Sequence, residues 1–442
     1  MAITNIISAI GNNSSIYPLL VRDCCIEAPS KILISRKENM KESKTMANDA
    51  TRERFLDEYV TSAIWLGGIP AVEKVADKFI SKKGFNPSVN LKLFKSETGV
   101  DNVAQGIEYN IKKFSQIKEK DVQDAVADLI KVRDNKPKFE KLLTKKFCAA
   151  TIIPTAIMGF VLPPMIFALT RKIRENRAKN QAQNQTPVQS FTPVKTFTST
   201  VNNPFKDFNN GDKITFTGSG LTSAIANLRT VDKMAISDGG LTVGRVSTAR
   251  NKEESYANAF KMTGSMILNF VTPIYIAKGL DKLANKFFKV NVNLDPLILD
   301  NKEFIQAIKD NKVELPKSNS AKDLLDFLDT NPNSLFSKAA EKMEKVSYLK
   351  SRIRDPRKFV DIAKLTEFKN EFEGFIEAAK KSNNIEKFAK KAKYVKCGNI
   401  LANVGISSFL LAGVLPVLTY KFIKLTTGSY SDPGLAINKG KS

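Results

Sequence analysis

Apolar and polar positions fall in blocks along the chain, and two blocks carry no charge: residues 147–170 (FCAATIIPTAIMGFVLPPMIFALT) and 397–420 (CGNILANVGISSFLLAGVLPVLTY). Rising 1.5 Å per residue, each is long enough as a helix to cross a hydrocarbon layer about 30 Å thick. Clusters of Lys and Arg flank both, and such side chains sit at headgroups and resist being pulled through. Two further stretches are marginal as spans. Residues 59–72 (YVTSAIWLGGIPAV) are too short alone, and residues 262–277 (MTGSMILNFVTPIYIA) are borderline. Trp65 lies mid-way along the first, where an interface-lying helix would hold its indole at headgroup depth. Pro70, Pro154, Pro163, Pro164 and Pro273 predict kinks, because proline removes a donor and crowds the carbonyl one turn back.

Between these blocks the period is helical. Residues 73–146 read as amphipathic helices, with Val122, Val126, Leu129 and Ile130 on one face. Residues 290–394 read likewise, with Ser320 and Asn331 as N-caps. The fold class expected is an all-α integral membrane protein, with two clear and two marginal transmembrane helices and helical domains outside the bilayer. The segmentation is a polar, disordered or loosely helical tail (1–50), a first half (51–179), an Asn/Thr/Pro-rich linker (180–213), a Gly-dotted connector (214–260), a second half (261–425) and a polar tail (426–442).

The halves resemble each other. Phe139, Cys148, Ile157, Phe160, Leu169, Thr170 and Lys172 recur 249 positions later as Phe388, Cys397, Ile406, Phe409, Leu418, Thr419 and Lys421. Upstream, VEKVADKF at 72–79 matches LDKLANKF at 280–287, a shift of 208. Such a pattern predicts an internal duplication with an insertion in the second half, the architecture of many two-repeat transporters.

Charge sharpens the picture. With 69 Lys+Arg against 45 Asp+Glu, the net charge of +24 implies anionic partners. The basic residues crowd beside apolar helices, so lipid headgroups are expected before nucleic acid, for which no zinc finger, RNP signature or clear helix-turn-helix is present. The expected contacts are Lys138, Lys141, Lys145, Lys146, Arg171, Lys172 and Arg174 around the first block. Around the second they are Lys387, Lys390, Lys391, Lys393 and Lys396. Asn399 and Asn403, four apart on one face, are expected to hydrogen-bond another span, with Gly405 allowing close helix approach.

The chain has no histidine, which removes Ser-His-Asp and Cys-His pairs, His metal ligands and His proton relays. Four cysteines (Cys24, Cys25, Cys148, Cys397) without CxxC spacing read as free thiols. The glycine stretch 217–223 (TGSGLTS) lacks the Gly-Lys-Ser/Thr ending of a P-loop and reads as a turn with a cap. Asp238-Gly239-Gly240 with Gly244, Arg245 and Arg250 reads as a loop with a membrane-facing basic patch. No cofactor, metal or catalytic site is expected.

The functional expectation is a non-catalytic multi-pass protein of the cytoplasmic or inner membrane. It would be a scaffold or membrane-shaping element that binds anionic headgroups, a protein partner or its own copies. The alternative is a two-repeat transporter or channel. Basic density favours 73–146 and 278–396 as cytoplasmic if all four apolar segments cross.

Overall fold

A computed structural model describes residues 2–11, 20–94, 105–183, 230–289 and 294–435. It is nearly all helical, and no strand occurs among the described residues. The helices are α1 (Ala2–Gly11), α2 (20–40), α3 (44–82), α4 (Ile107–Phe114), α5 (Lys120–Asp134), α6 (136–183), α7 (Thr230–Ser247) and α8 (Lys252–Phe270). They continue with α9 (Thr272–Phe288), α10 (Pro296–Leu299), α11 (Lys302–Lys309), α12 (Ala321–Thr330), α13 (Leu335–Lys342), α14 (Ile362–Lys380) and α15 (385–427). Two of them, α6 and α15, are long and apolar enough to cross a membrane.

The prolines bend these helices without ending them. Five segments widen to π geometry, and each ends two residues before a proline: Glu27 before Pro29, Gly68 before Pro70, Ile152 before Pro154, Val161 before Pro163, Val414 before Pro416. The proline ring crowds the carbonyl four residues back. A wider turn relieves that contact and lets Ile69, Ile153, Leu162 and Leu415 bond one residue further up the helix.

Two regions make up the molecule. The apolar region is a bundle of α2, α3, α6, α7, α8, α9 and α15. α2 pairs with α3, and α7 pairs with α8, each as a helical hairpin. The second part of α6 then packs on α3 and α7, and that of α15 packs on α8 and α2. Gly159 of α6 lets α7 come close: a Cβ built on it would fall 3.3 Å from the Cα of Gly244.

The polar region gathers α4, α5 and the start of α6 with α10–α14 and the start of α15. Its largest core runs from Leu294 to Ala392, centred on the ring cluster Phe304, Phe336, Phe368, Phe372 and Phe375. Val122, Val126 and Leu129 are buried as their spacing predicts, and Ile130 packs partly buried beside them. A loop before α14 joins the polar parts of the two halves. Gln105 exchanges two hydrogen bonds with the Val360 backbone (2.8 and 3.0 Å), and Arg357 donates to Asp128 at 2.8 Å. Arg354, 1% exposed, grips Asp329 through Nε at 2.7 Å and Nη2 at 3.1 Å, and Lys113 reaches the same carboxylate at 2.7 Å. Burial would raise the Asp329 pKa, but Arg354 and Lys113 outweigh it and hold the carboxyl below its ordinary value.

Several sequence expectations need correction. The N-terminal tail is helical where described, because it packs through hydrogen bonds that a hydropathy pattern does not register. Asn39 of α2 is fully buried and donates to Asp432 at 3.0 Å. Tyr420 hydroxyl donates to Ser35 at 2.9 Å. The C-terminal polar tail turns back at Gly428 (φ 75°) and buries Leu435. The connector at 238–245 is the interior of α7, not a loop. Trp65, partly buried, packs against Met158, Leu241 and Met262. Ser320 does cap α12, whereas Asn331 ends that helix and Ser334 caps the next. Beyond Gln183 the linker, and all of 217–223, lie outside the described residues.

Candidate functional site

The basic rims come first, since the sequence points to them. On α6, Lys138, Lys141, Lys145, Arg171 and Lys172 are exposed; on α15, so are Lys387, Lys390 and Lys391. Three of the expected headgroup residues are engaged by carboxylates of the chain instead. Lys146 pairs with Asp77 at 2.5 Å, Arg174 with Asp49 at 2.7 Å and Lys393 with Asp300 at 2.8 Å. Lys396 is half-buried. Asp49 is fully buried and also takes Arg52 and Arg177. Burial alone would raise its pKa, and the Arg174 and Arg177 hydrogen bonds overcome that and hold it down.

Of the polar residues of the second block, Asn399 reaches a neighbouring helix and Asn403 stays on its own. Asn399 donates to Asp281 of α9 at 3.1 Å, and Asn403 accepts from Ser407 of its own helix at 3.4 Å. No atom comes within 4 Å of where a Cβ on Gly405 would lie, so Gly405 supports no close approach within this chain. The close approach is elsewhere. A Cβ on Gly244 would fall 2.6 Å from Gly159 Cα, and one on Gly240 would fall 2.7 Å from Thr155 Cγ2. Thr155 and Ser237 hydroxyls hydrogen-bond beside this crossing.

Where the hairpins meet α6 and α15, the bundle interior is charged. Arg250, leading into α8, forks onto Glu53 with two bonds of 3.0 Å, reaches Glu254 at 2.7 Å and stacks 4.0 Å from the Phe167 ring centre. One side chain thus ties α3, α6 and α8 together. Arg245 of α7 donates to Asp57 of α3 at 2.6 Å and to Thr61 at 3.1 Å. Arg54 lies between Glu58 (3.6 Å) and Asp57 (3.9 Å), and Lys31 of α2 bridges Glu27 (2.9 Å) and Glu58 (3.4 Å). The chain matches no protein-family model, no curated protein and no solved structure. Its geometry alone therefore carries the functional reading.

Two cavities lie in this charged interior. The larger, about 90 Å³, is walled by Arg54, Asp57, Arg245, Arg250, Glu254 and Lys261 among others. A cavity of that size holds several waters, each needing about 10–15 Å³ by this measure. The smaller, about 30 Å³, lies between α2, α3, α8 and α15. Among the described residues no group of three or more Cys, Asp or Glu side chains is placed to hold a metal ion. All four cysteines are free. The arrangement can orient water and bind a small charged or polar species.

Sequence reasoning missed this interior because it searched the two uncharged blocks for charge. The charges sit on neighbouring helices. The signal available was on α3, where Glu53/Asp57 and Arg54/Glu58 are each four apart and share a face with Ala47 and Ala50, both fully buried.

Proposed function

We propose that this is an integral, multi-pass protein of a cytoplasmic or inner membrane, acting as a non-catalytic scaffold or membrane-shaping element. In this reading α6 and α15 cross the bilayer, their basic ends hold anionic headgroups, and the polar helical region engages a protein partner or a second copy. One observation carries it. Ile153, Ile157, Val161, Met165 and Leu169 form an outward stripe on α6, each 43–64% exposed, with Lys145 at one end and Arg171 and Lys172 at the other. The stripe is i, i+4 throughout, so it is one continuous apolar face. Leu401, Phe409 and Leu418 give α15 a similar outward face. The test is alkaline carbonate extraction with thiol labelling. The protein should stay in the pellet until detergent is added, and exposed Cys148, at the start of the first apolar block, should resist a charged maleimide until then. Release by carbonate, together with rapid labelling of Cys148, would refute insertion.

A second reading, a two-repeat transporter or channel, is favoured by the reciprocal packing. Each long helix takes a hairpin helix from the opposite half, and the charged cavities lie where those exchanges meet. A duplication also accounts for a further match. α3 and α8 begin at Lys44 and Lys252, 208 residues apart, the same shift as the 72–79 and 280–287 pair. Proteoliposomes loaded with a halide-sensitive dye and a pH dye test it. Flux above empty vesicles supports this reading, and none for halide, proton or alkali cation removes it.

A further inference from the structure

The smaller cavity has a sharply one-sided electrostatic wall. Lys31, Arg54, Lys261 and Ser265 line it from α2, α3 and α8, and α15 contributes Leu411, Leu415 and Pro416 with the hydroxyls of Thr419 and Tyr420. No carboxylate lines it. Lys31 and Arg54 already share Glu27, Asp57 and Glu58 behind the wall. Lys261 differs. Among the described residues it makes no hydrogen bond or ion pair within 4 Å, although it lines both cavities beside Arg54. Its amine lies buried next to the Arg54 guanidinium, and desolvation and the Arg54 charge lower its pKa to about 7 against the opposing pull of Glu58 and Asp57.

We propose that the cavity is a binding site for one small inorganic monoanion of halide size, held by Lys261 and Arg54 with Lys31 behind them. The volume sets the scale. About 30 Å³ takes a single halide or two waters and is too small for a carboxylic acid or a phosphate ester. The charge favours an anion: Lys31 and Arg54 face the cavity as cations, and a bound anion would draw Lys261, whose pKa is lowered to about 7, back to its ammonium form. The apolar wall from α15 fits a weakly hydrated ion, which loses less on leaving water than a strongly hydrated one. The site belongs to the helix bundle and does not depend on bilayer insertion, so anion binding and carbonate resistance can fail separately.

The test uses the full-length protein in a non-ionic detergent, unfolded thermally in sodium bromide or sodium gluconate of equal ionic strength. Gluconate is too large to enter. At saturating bromide the Tm should exceed that in gluconate by about 3 °C. The difference should vanish in Lys261→Met and persist in Lys261→Arg. An equal Tm in the two salts for the unsubstituted protein overturns the proposal, as does an unchanged difference in Lys261→Met. Should Lys261→Met fail to fold, crystals grown in bromide decide. An anomalous peak between Lys261 and Arg54 supports the site, and an empty cavity refutes it.

Discussion

The crossing of α6 and α7 can be tested by adding a single methyl group at two positions of α7. Gly239 and Gly244 lie on the same helix, five residues apart. Nothing lies within 4 Å of a Cβ built on Gly239, whereas one on Gly244 falls 2.6 Å from both Cα and C of Gly159 and 2.9 Å from its carbonyl oxygen. Replacing a helical glycine by alanine gains up to about 1 kcal/mol from backbone entropy. That gain is common to both sites and cancels in their comparison. What remains at Gly244 is a backbone-to-backbone clash, which no side-chain rotation relieves. The helices must part by about 1 Å, loosening the Thr155–Ser237 hydrogen bond and costing about 1–3 kcal/mol by analogy with overpacked cores. For a chain of this length about 1 kcal/mol moves Tm by 1–2 °C. Thermal unfolding in detergent, read by helical circular dichroism, should therefore show Gly239→Ala slightly above the unsubstituted protein. Gly244→Ala should fall below Gly239→Ala by a few degrees. Equal rises in both variants would mean that α7 does not cross α6 here. The packing of α7 on the second part of α6 would then lose its tightest contact.

Other outcomes follow from the polar region and the rims. Asp329→Asn leaves Arg354 buried without its counter-charge and should cost about 3–5 kcal/mol in urea unfolding. Because the Asp329 pKa is depressed in the folded state, its contribution is complete above the ordinary carboxylate value of about 3.9. It is lost as pH falls through the lower folded value, so the acid-unfolding curve of the unsubstituted protein should steepen below about pH 4 and that of Asp329→Asn should not. Phe336, fully buried against Phe327, Phe368 and Phe372, should cost about 3–5 kcal/mol when cut to alanine, measured by the same urea titration. Charge reversal at Lys141, Lys145, Lys387 and Lys390, all exposed, should strip anionic phospholipid from the detergent-purified protein. Each lysine contributes about 1 kcal/mol of headgroup attraction. Unchanged lipid content by mass spectrometry would contradict the headgroup role.

Much of the helical framework is legible in the residues themselves. The two uncharged blocks become the middles of α6 and α15, and the period through Val122, Val126 and Leu129 becomes a buried face. Prolines within the blocks announced distortion, and every π segment sits beside one. What could not be read were contacts made by polar groups at long range. Ser35, Asn39, Tyr420 and Asp432 are separated by nearly the whole chain and bury one another only because the fold supplies each a partner. Glycine use was misjudged for a related reason. Gly405 and Gly159 look alike in sequence, yet only Gly159 has a helix against it, and which helix arrives is a tertiary fact.

The location of the charges bears directly on function. A span that carries its own Asp or Arg can be found by scanning hydropathy, because the charge interrupts an apolar run. Here the long apolar helices stay uncharged and the charges come from hairpins packed against them: Glu53, Arg54, Asp57 and Glu58 from α3, Arg245 from α7, Glu254 and Lys261 from α8. α3 enters the first cavity with three carboxylates or bases on one face, and α8 enters it with Glu254 and Lys261. The polar interior therefore forms only when the α2–α3 and α7–α8 hairpins are both packed against the long helices. Loss of the bromide effect on breaking the α6–α7 crossing with Gly244→Ala, while Gly239→Ala keeps it, would tie ion recognition to the packing of those hairpins.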